Sequence, residues 1–152
     1  MLRRVTSISD SMDINAAPDV VFSTVSDLPQ MGRFSPENTG GSWLNAPSAR
    51  VGARFKGTNA NGPKTWTTTA TVTTCDAPSS FAFDVAVGPF KIARWRYDLE
   101  ETATGTKLTE TWMDQRGALS LRISKKIRED REGFTRESIR TTLEKIRDQF
   151  AS

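Results

Sequence analysis

Two carboxylates interrupt strand patterns that are otherwise apolar: Asp10, between Ile8 and Met12, and Glu110, between Leu108 and Trp112. Side chains two apart on a strand share a face, so each carboxyl is expected to point inward with its neighbours. A carboxyl removed from water holds its proton more tightly, and such an acid donates or accepts a proton near neutral pH. Tyr97 belongs to a similar inward-reading set with Ala93, Trp95 and Leu99. The catalytic candidates are therefore Asp10 or Glu110 acting with Tyr97. The competing reading is that a bulge or one-residue register slip turns a carboxyl to solvent, or that it pairs with Arg or Lys.

The remaining chemical inventory is short. The chain has no histidine and one cysteine, Cys75. That removes the usual general base near neutral pH and the commonest metal ligand. A structural zinc site or a Rieske-type cluster goes with them, and neither metal nor cofactor is expected. The stretch from Gly57 to Gly62 reads as a polar hairpin turn rather than a phosphate loop. Cys75 has no imidazole to activate it and reads as an ordinary strand-end residue.

The elements that position these groups follow from periodicity. Alternation over Val5 to Ile14 predicts a first strand, with Thr6, Ile8, Asp10, Met12 and Ile14 on one face. Pro18 then opens a short helix carrying Val20, Val21, Phe22 and Val25. Asp27-Leu28-Pro29 closes it, and a second short helix is expected to reach Phe34. Strands are predicted at 42–45, 50–58, 64–75, 81–87, 91–100 and 106–115, separated by Gly, Pro and Asn turns. From Ala118 to Phe150 the period becomes helical. Ile139, Leu143, Ile146 and Phe150 form one stripe, and Leu119, Ile123 and Ile127 a second, with Gly133 near the junction.

Parity along the strands predicts an inward set: Val51, Ala53 and Phe55; Trp66, Thr68, Ala70 and Val72; Phe81, Phe83, Val85 and Val87. Ala93, Trp95, Tyr97, Leu99, Leu108 and Trp112 complete it. The opposite parity is polar, with Arg54, Lys56, Asp84, Arg94, Arg96 and Asp98. One apolar and one wet face suit an antiparallel sheet covered on one side, and the cover is the C-terminal helix. Between sheet and helix the candidate cavity residues are Phe34, Phe55, Trp66, Phe83, Trp95, Tyr97, Trp112, Ile139 and Leu143. Its entrance is expected at the short helices, with Met31 and Phe34, and at the Gly57-to-Pro63 turn.

Size and charge narrow the class. At 152 residues the chain reads as a single domain spanning 1–152. Four Trp and eight Phe oppose a disordered composition. The first twenty residues lack the apolar core of a signal peptide, and no run reaches membrane-spanning length. With a lone Cys as well, a cytoplasmic location is expected, without integral membrane association. The net charge of +3 sits in a C-terminal region of mixed signs, which reads as a solvated face rather than a nucleic-acid surface. No mark of oligomeric state is present, and monomer and homodimer both stay open.

The chain resembles the SRPBCC superfamily, which includes START-type lipid-transfer domains, the birch-pollen allergen group and bacterial polyketide cyclase/dehydrase-like proteins. The resemblance lies in an ordered set of segments: Ile14 to Phe22, Phe34-Ser35-Pro36-Glu37, Val51 to Gly57 and Trp66 to Thr69. Phe81-Ala82-Phe83, Trp95-Arg96-Tyr97, Gly105 to Trp112 and the final helix complete the set. It implies an α+β helix-grip fold: about seven antiparallel strands curled around a long C-terminal helix, with two short helices after the first strand. In that fold the first and last strands are neighbours, which would place Asp10 and Glu110 on one wall.

The family supplies no shared catalytic motif, so function is argued from the site. The leading expectation is binding of a small hydrophobic molecule, a lipid, polyketide or similar metabolite, in an internal cavity. The first alternative is a polyketide cyclase or dehydratase-like enzyme using the inward carboxylates. The second is a co-chaperone-like or stress-related interaction module that uses the outer helix face, with Lys125, Lys126 and Arg128.

Overall fold

The computed structural model describes residues 7–116 and 131–151. The helical stripe Leu119, Ile123 and Ile127, the cluster Lys125, Lys126 and Arg128, and the strand positions Val5 and Thr6 lie outside the described residues. Seven strands form one antiparallel sheet: β1 (Ser7–Ile14), β2 (Asn38–Trp43), β3 (Arg54–Asn61), β4 (Lys64–Asp76), β5 (Ser80–Val87), β6 (Phe90–Thr102) and β7 (Gly105–Asp114). Their spatial order is β1-β7-β6-β5-β4-β3-β2. Strands β2 to β7 are a meander, and β1 returns to pair with β7. The helix α1 (Pro18–Val25), a 3-10 helix (Leu28–Arg33) and the C-terminal helix α2 (Arg131–Gln149) complete the α+β helix-grip arrangement.

Proline stands in the first turn of both early helices, Pro18 as the first residue of α1 and Pro29 as the second of the 3-10 helix, because its fixed φ suits a helix start that needs no N–H. Helix α1 buries Val21, Phe22 and Val25, and the Phe22 ring meets Phe81 edge-on at 6.2 Å. Helix α2 buries Ile139, Leu143 and Ile146 completely. Around them gather Ile8, Ile14, Phe81, Leu108 and Val72 in one apolar core.

Two local features move residues off the predicted parity. Val51 was expected to face inward but lies in a turn before β3 and is 61 % exposed. The strand begins only at Arg54, where Ala53 and Phe55 enter the core. Between β5 and β6 the register slips: Val85 faces Ala93, but Ala86 faces Lys91 and Val87 faces Phe90. Directly opposed residues share a face, so Phe90 joins the inward side while Ile92 becomes the extra, bulged residue. The strand expected at 42–45 runs instead from Asn38 to Trp43, so that Gly40 and Gly41 lie within β2. A side chain at Gly41 would collide with the Lys56 carbonyl and the Phe55 ring.

A cavity with a buried acid on its wall

A cavity of about 510 Å³ lies between the inner sheet face and α2. The meander supplies most of its wall through Phe55, Trp66, Phe83, Val85, Trp95 and Trp112. Leu28 and Met31 approach from the 3-10 helix, and Ser138 and Thr142, one turn apart, from α2. Three of the four tryptophans are on this wall. The fourth, Trp43, packs edge-on against Phe55 at 5.4 Å from outside it.

Topology fixes which described residues mark one end of the cavity. In a meander the β3–β4 turn, the β5–β6 turn and the C-terminal end of β7 lie at one end of the sheet. Lys64 and Thr65, Val87 and Phe90, and Arg116 belong to those three features and all border the cavity. Lys64 and Thr65 are exposed, and Val87 and Phe90 are about two-fifths exposed. Two ion pairs edge this end. Arg131 grips Glu37 through two hydrogen bonds of 3.0 and 3.3 Å. Arg116 holds the buried Asp114 through bonds of 2.9 and 3.0 Å.

Glu110 sits deeper, four residues along β7 from Asp114, which a strand rise near 3.3 Å makes about 13 Å. It is 3 % exposed and borders the cavity. The hydroxyl of its register partner Tyr97 donates to Glu110 Oε2 at 3.0 Å, and lies 4.0 Å from Met31 Sδ. Glu110 Oε1 has no hydrogen-bond partner. Burial pushes the carboxyl up to about 8, against the opposing pull of the Tyr97 hydrogen bond. The Tyr97 phenol is also raised, first by burial and then by the neighbouring Glu110. Near neutral pH the pair is therefore mainly a carboxylic acid beside a neutral phenol.

Asp10 is the register partner of Glu110 on β1, yet it does not reach the cavity wall. Strand β1 is the sheet edge, so its carboxyl has solvent beside it and remains 41 % exposed. It accepts from Arg140 of α2 at 3.3 Å and from the Ser11 N–H at 2.8 Å. Pairing with arginine, the competing reading, is what the structure shows for this residue. Three expected cavity residues also lie elsewhere. Ile139 and Leu143 point into the packed core beside the cavity, and Phe34 is 4 % exposed behind the 3-10 helix under the Arg33 guanidinium. Among the described residues no three His, Cys, Asp or Glu side chains gather to hold a metal ion, and no helix is long and apolar enough to cross a membrane.

The sequence reading missed Ser138, Thr142, Phe90 and Ile92 as wall residues. For the helix pair a signal existed, since both lie on the turn flanking Ile139 and Leu143. For Phe90 and Ile92 it did not, because a bulge leaves no mark in alternation.

The comparisons fit this geometry. None of the curated proteins compared with the chain matches it. Among solved structures, the polyketide-cyclase-like protein Cgl2372 of Corynebacterium glutamicum is 27 % identical, with a TM-score of 0.61 over 93 % of this chain and 88 % of that one. The ginseng (Panax ginseng) major latex-like protein 151 superposes with a TM-score of 0.73 at 10 % identity, covering 96 % of this chain and 97 % of that one. The di-domain ARO/CYC BexL of the BE-7585A biosynthetic pathway gives 0.72 at 15 % identity, over 96 % of this chain and 50 % of BexL. These last two likenesses show a shared fold alone. The profile of the family described as "Polyketide cyclase / dehydrase and lipid transport" matches residues 5–150, and the chain belongs to that family.

Proposed function

We propose that this protein binds a small, largely apolar molecule in the cavity between the sheet and α2. The observation that carries the reading is the cavity itself: about 510 Å³ bordered by six aromatic side chains of the sheet interior, Phe55, Trp66, Phe83, Trp95, Tyr97 and Trp112. That volume lies in the range of small-molecule sites, which are mostly apolar with a few placed polar groups. Glu110 and Tyr97 are among the polar groups here, and the family's description supports the same class of ligand. Native mass spectrometry of the purified protein, compared with its denatured mass, tests the reading. A retained adduct of small-molecule mass is expected. A bare mass, unchanged after soaking with fatty acids and aromatic polyketides, overturns it.

The Glu110–Tyr97 pair favours a second reading, a cyclase or dehydratase-like enzyme. A carboxylic acid that is protonated near neutral pH and borders the ligand space can deliver a proton to a bound oxygen. Asp10, half-exposed and held by Arg140, is left out of this chemistry. The two readings separate on Glu110→Gln: turnover is lost if the acid transfers protons, whereas binding persists in both.

A further inference from the structure

Glu110 presents two unequal oxygens: Oε2 accepts from Tyr97, and Oε1 has no partner in a side chain that is almost wholly buried. Among the described residues, the wall around it carries apolar and neutral polar groups. Strand β6 offers Tyr97, β7 offers Trp112, the 3-10 helix Met31 and α2 Ser138 and Thr142. From β1 comes Asp10, whose charge is held by Arg140. Arg116 lies six residues along the chain from Glu110, about 20 Å by strand rise, and Arg131 is engaged by Glu37. An anion at Glu110 would sit in an apolar wall without a counter-charge, so the neutral acid is the stable form. Because Tyr97 already donates to Oε2, the acid's own proton belongs on Oε1.

We propose that Glu110 is a specificity residue working as a hydrogen-bond donor, so that the cavity prefers neutral molecules bearing a ketone-type acceptor oxygen over matched hydrocarbons and over carboxylates. The proposal rests on the cavity being a ligand site. A hydrocarbon leaves the Oε1 proton unmatched in the bound state, and a buried donor without a partner is costly. A ligand carboxylate placed against Glu110 meets no cation among the described residues of that part of the wall. A ketone oxygen accepts the proton and adds no charge. The raised titration of Glu110, to about 8, agrees with this assignment.

The probes are 2-acetylnaphthalene, 2-ethylnaphthalene and 2-naphthoate, which share a ring system and differ in the group offered to Glu110. Calorimetric titration of the full chain, with Glu110→Leu and Glu110→Gln alongside, gives each dissociation constant. Glu110→Leu is expected to shift the ketone-to-hydrocarbon preference roughly tenfold toward the hydrocarbon. Glu110→Gln keeps a donor in its amide and is expected to hold the native preference within about threefold. Raising the pH from about 7 to about 9 should weaken ketone binding to the native chain and leave the Gln variant unchanged. All three probes bound, with a preference that Glu110→Leu does not move, overturns the donor role and leaves the ligand-site reading standing. Should the Leu variant not fold, a flat pH profile for the native chain overturns it equally. No binding of any probe overturns both.

Discussion

Asp10 and Glu110 stand opposite one another in the β1–β7 ladder, yet their surroundings give them different chemistry. Asp10 at the edge keeps water and an arginine, while Glu110 one strand inward has only a phenol. Alternation revealed both residues, because a carboxyl among apolar neighbours stands out in sequence. It did not separate them, because parity tells which face a residue takes and not how far the next layer extends over it. Tyr97 was legible for the same reason as Glu110, and their contact needed the register. The consequence of burial can be measured as stability. Glu110 titrates at about 8 when folded, against 4.5 ordinarily. Below the lower value both states are protonated and the stabilising contribution is complete. Between the two values the folded chain holds the extra proton, so stability falls as pH rises, by roughly 1 kcal/mol per pH unit. Glu110→Gln removes that slope, so urea denaturation across this window should show the variant gaining on the native chain as pH increases. Parallel profiles would show that the carboxyl is not raised.

At the scale of elements, α2 has two buried flanks with different duties. Ile139, Leu143 and Ile146 are fully buried in the core, and Ser138 and Thr142 border the cavity. The apolar stripe was readable at helical spacing, but hydroxyls beside it read equally well as the start of the polar face. Leu143→Ala is expected to cost about 3 kcal/mol in chemical denaturation, since it empties a packed site. Ser138→Ala should cost about 1 kcal/mol or less, because its side chain already borders open space. Equal losses would place both residues in the same packed environment. In β2 the position of Gly41 is demanded by close approach: its φ is +150°, and a Cβ would strike the Lys56 carbonyl and the Phe55 ring. Gly41→Ala should therefore lower thermal stability and disturb the cavity wall that Phe55 forms, a result visible in the near-ultraviolet circular dichroism of Trp43 and Phe55. An unchanged melting curve would mean the β2 edge simply moves away.

For the whole molecule, the order of elements was legible because each signal is local: two-residue alternation, helical spacing, and Gly or Pro at the turns. Closure of the sheet by β1 against β7 came from the family resemblance instead, since no pattern within either strand names its partner. Nor does sequence distance suggest the meeting of Glu37 and Arg131, which lie 94 positions apart and form a two-bond ion pair. Both side chains are less than one-fifth exposed, so the pair is stronger than an ordinary surface bridge. It ties the segment after the 3-10 helix to the first turn of α2, where Arg131 also lies 5.2 Å over the Phe134 ring. The middle and later turns of α2 are held differently, by the buried Ile139, Leu143 and Ile146. Loss of the pair should therefore loosen the start of the helix without unfolding the core. Glu37→Gln is expected to speed amide exchange in the first turn of α2 and to speed release of a bound probe about threefold to tenfold, as loss of roughly 1 kcal/mol would do. Exchange at Leu143 and Ile146 should stay near its native rate. The charge-reversed double variant Glu37→Arg with Arg131→Glu should recover slow release, because it restores the attraction while exchanging its carriers. Slow release in Glu37→Gln would mean that the helix start is held by its packing alone.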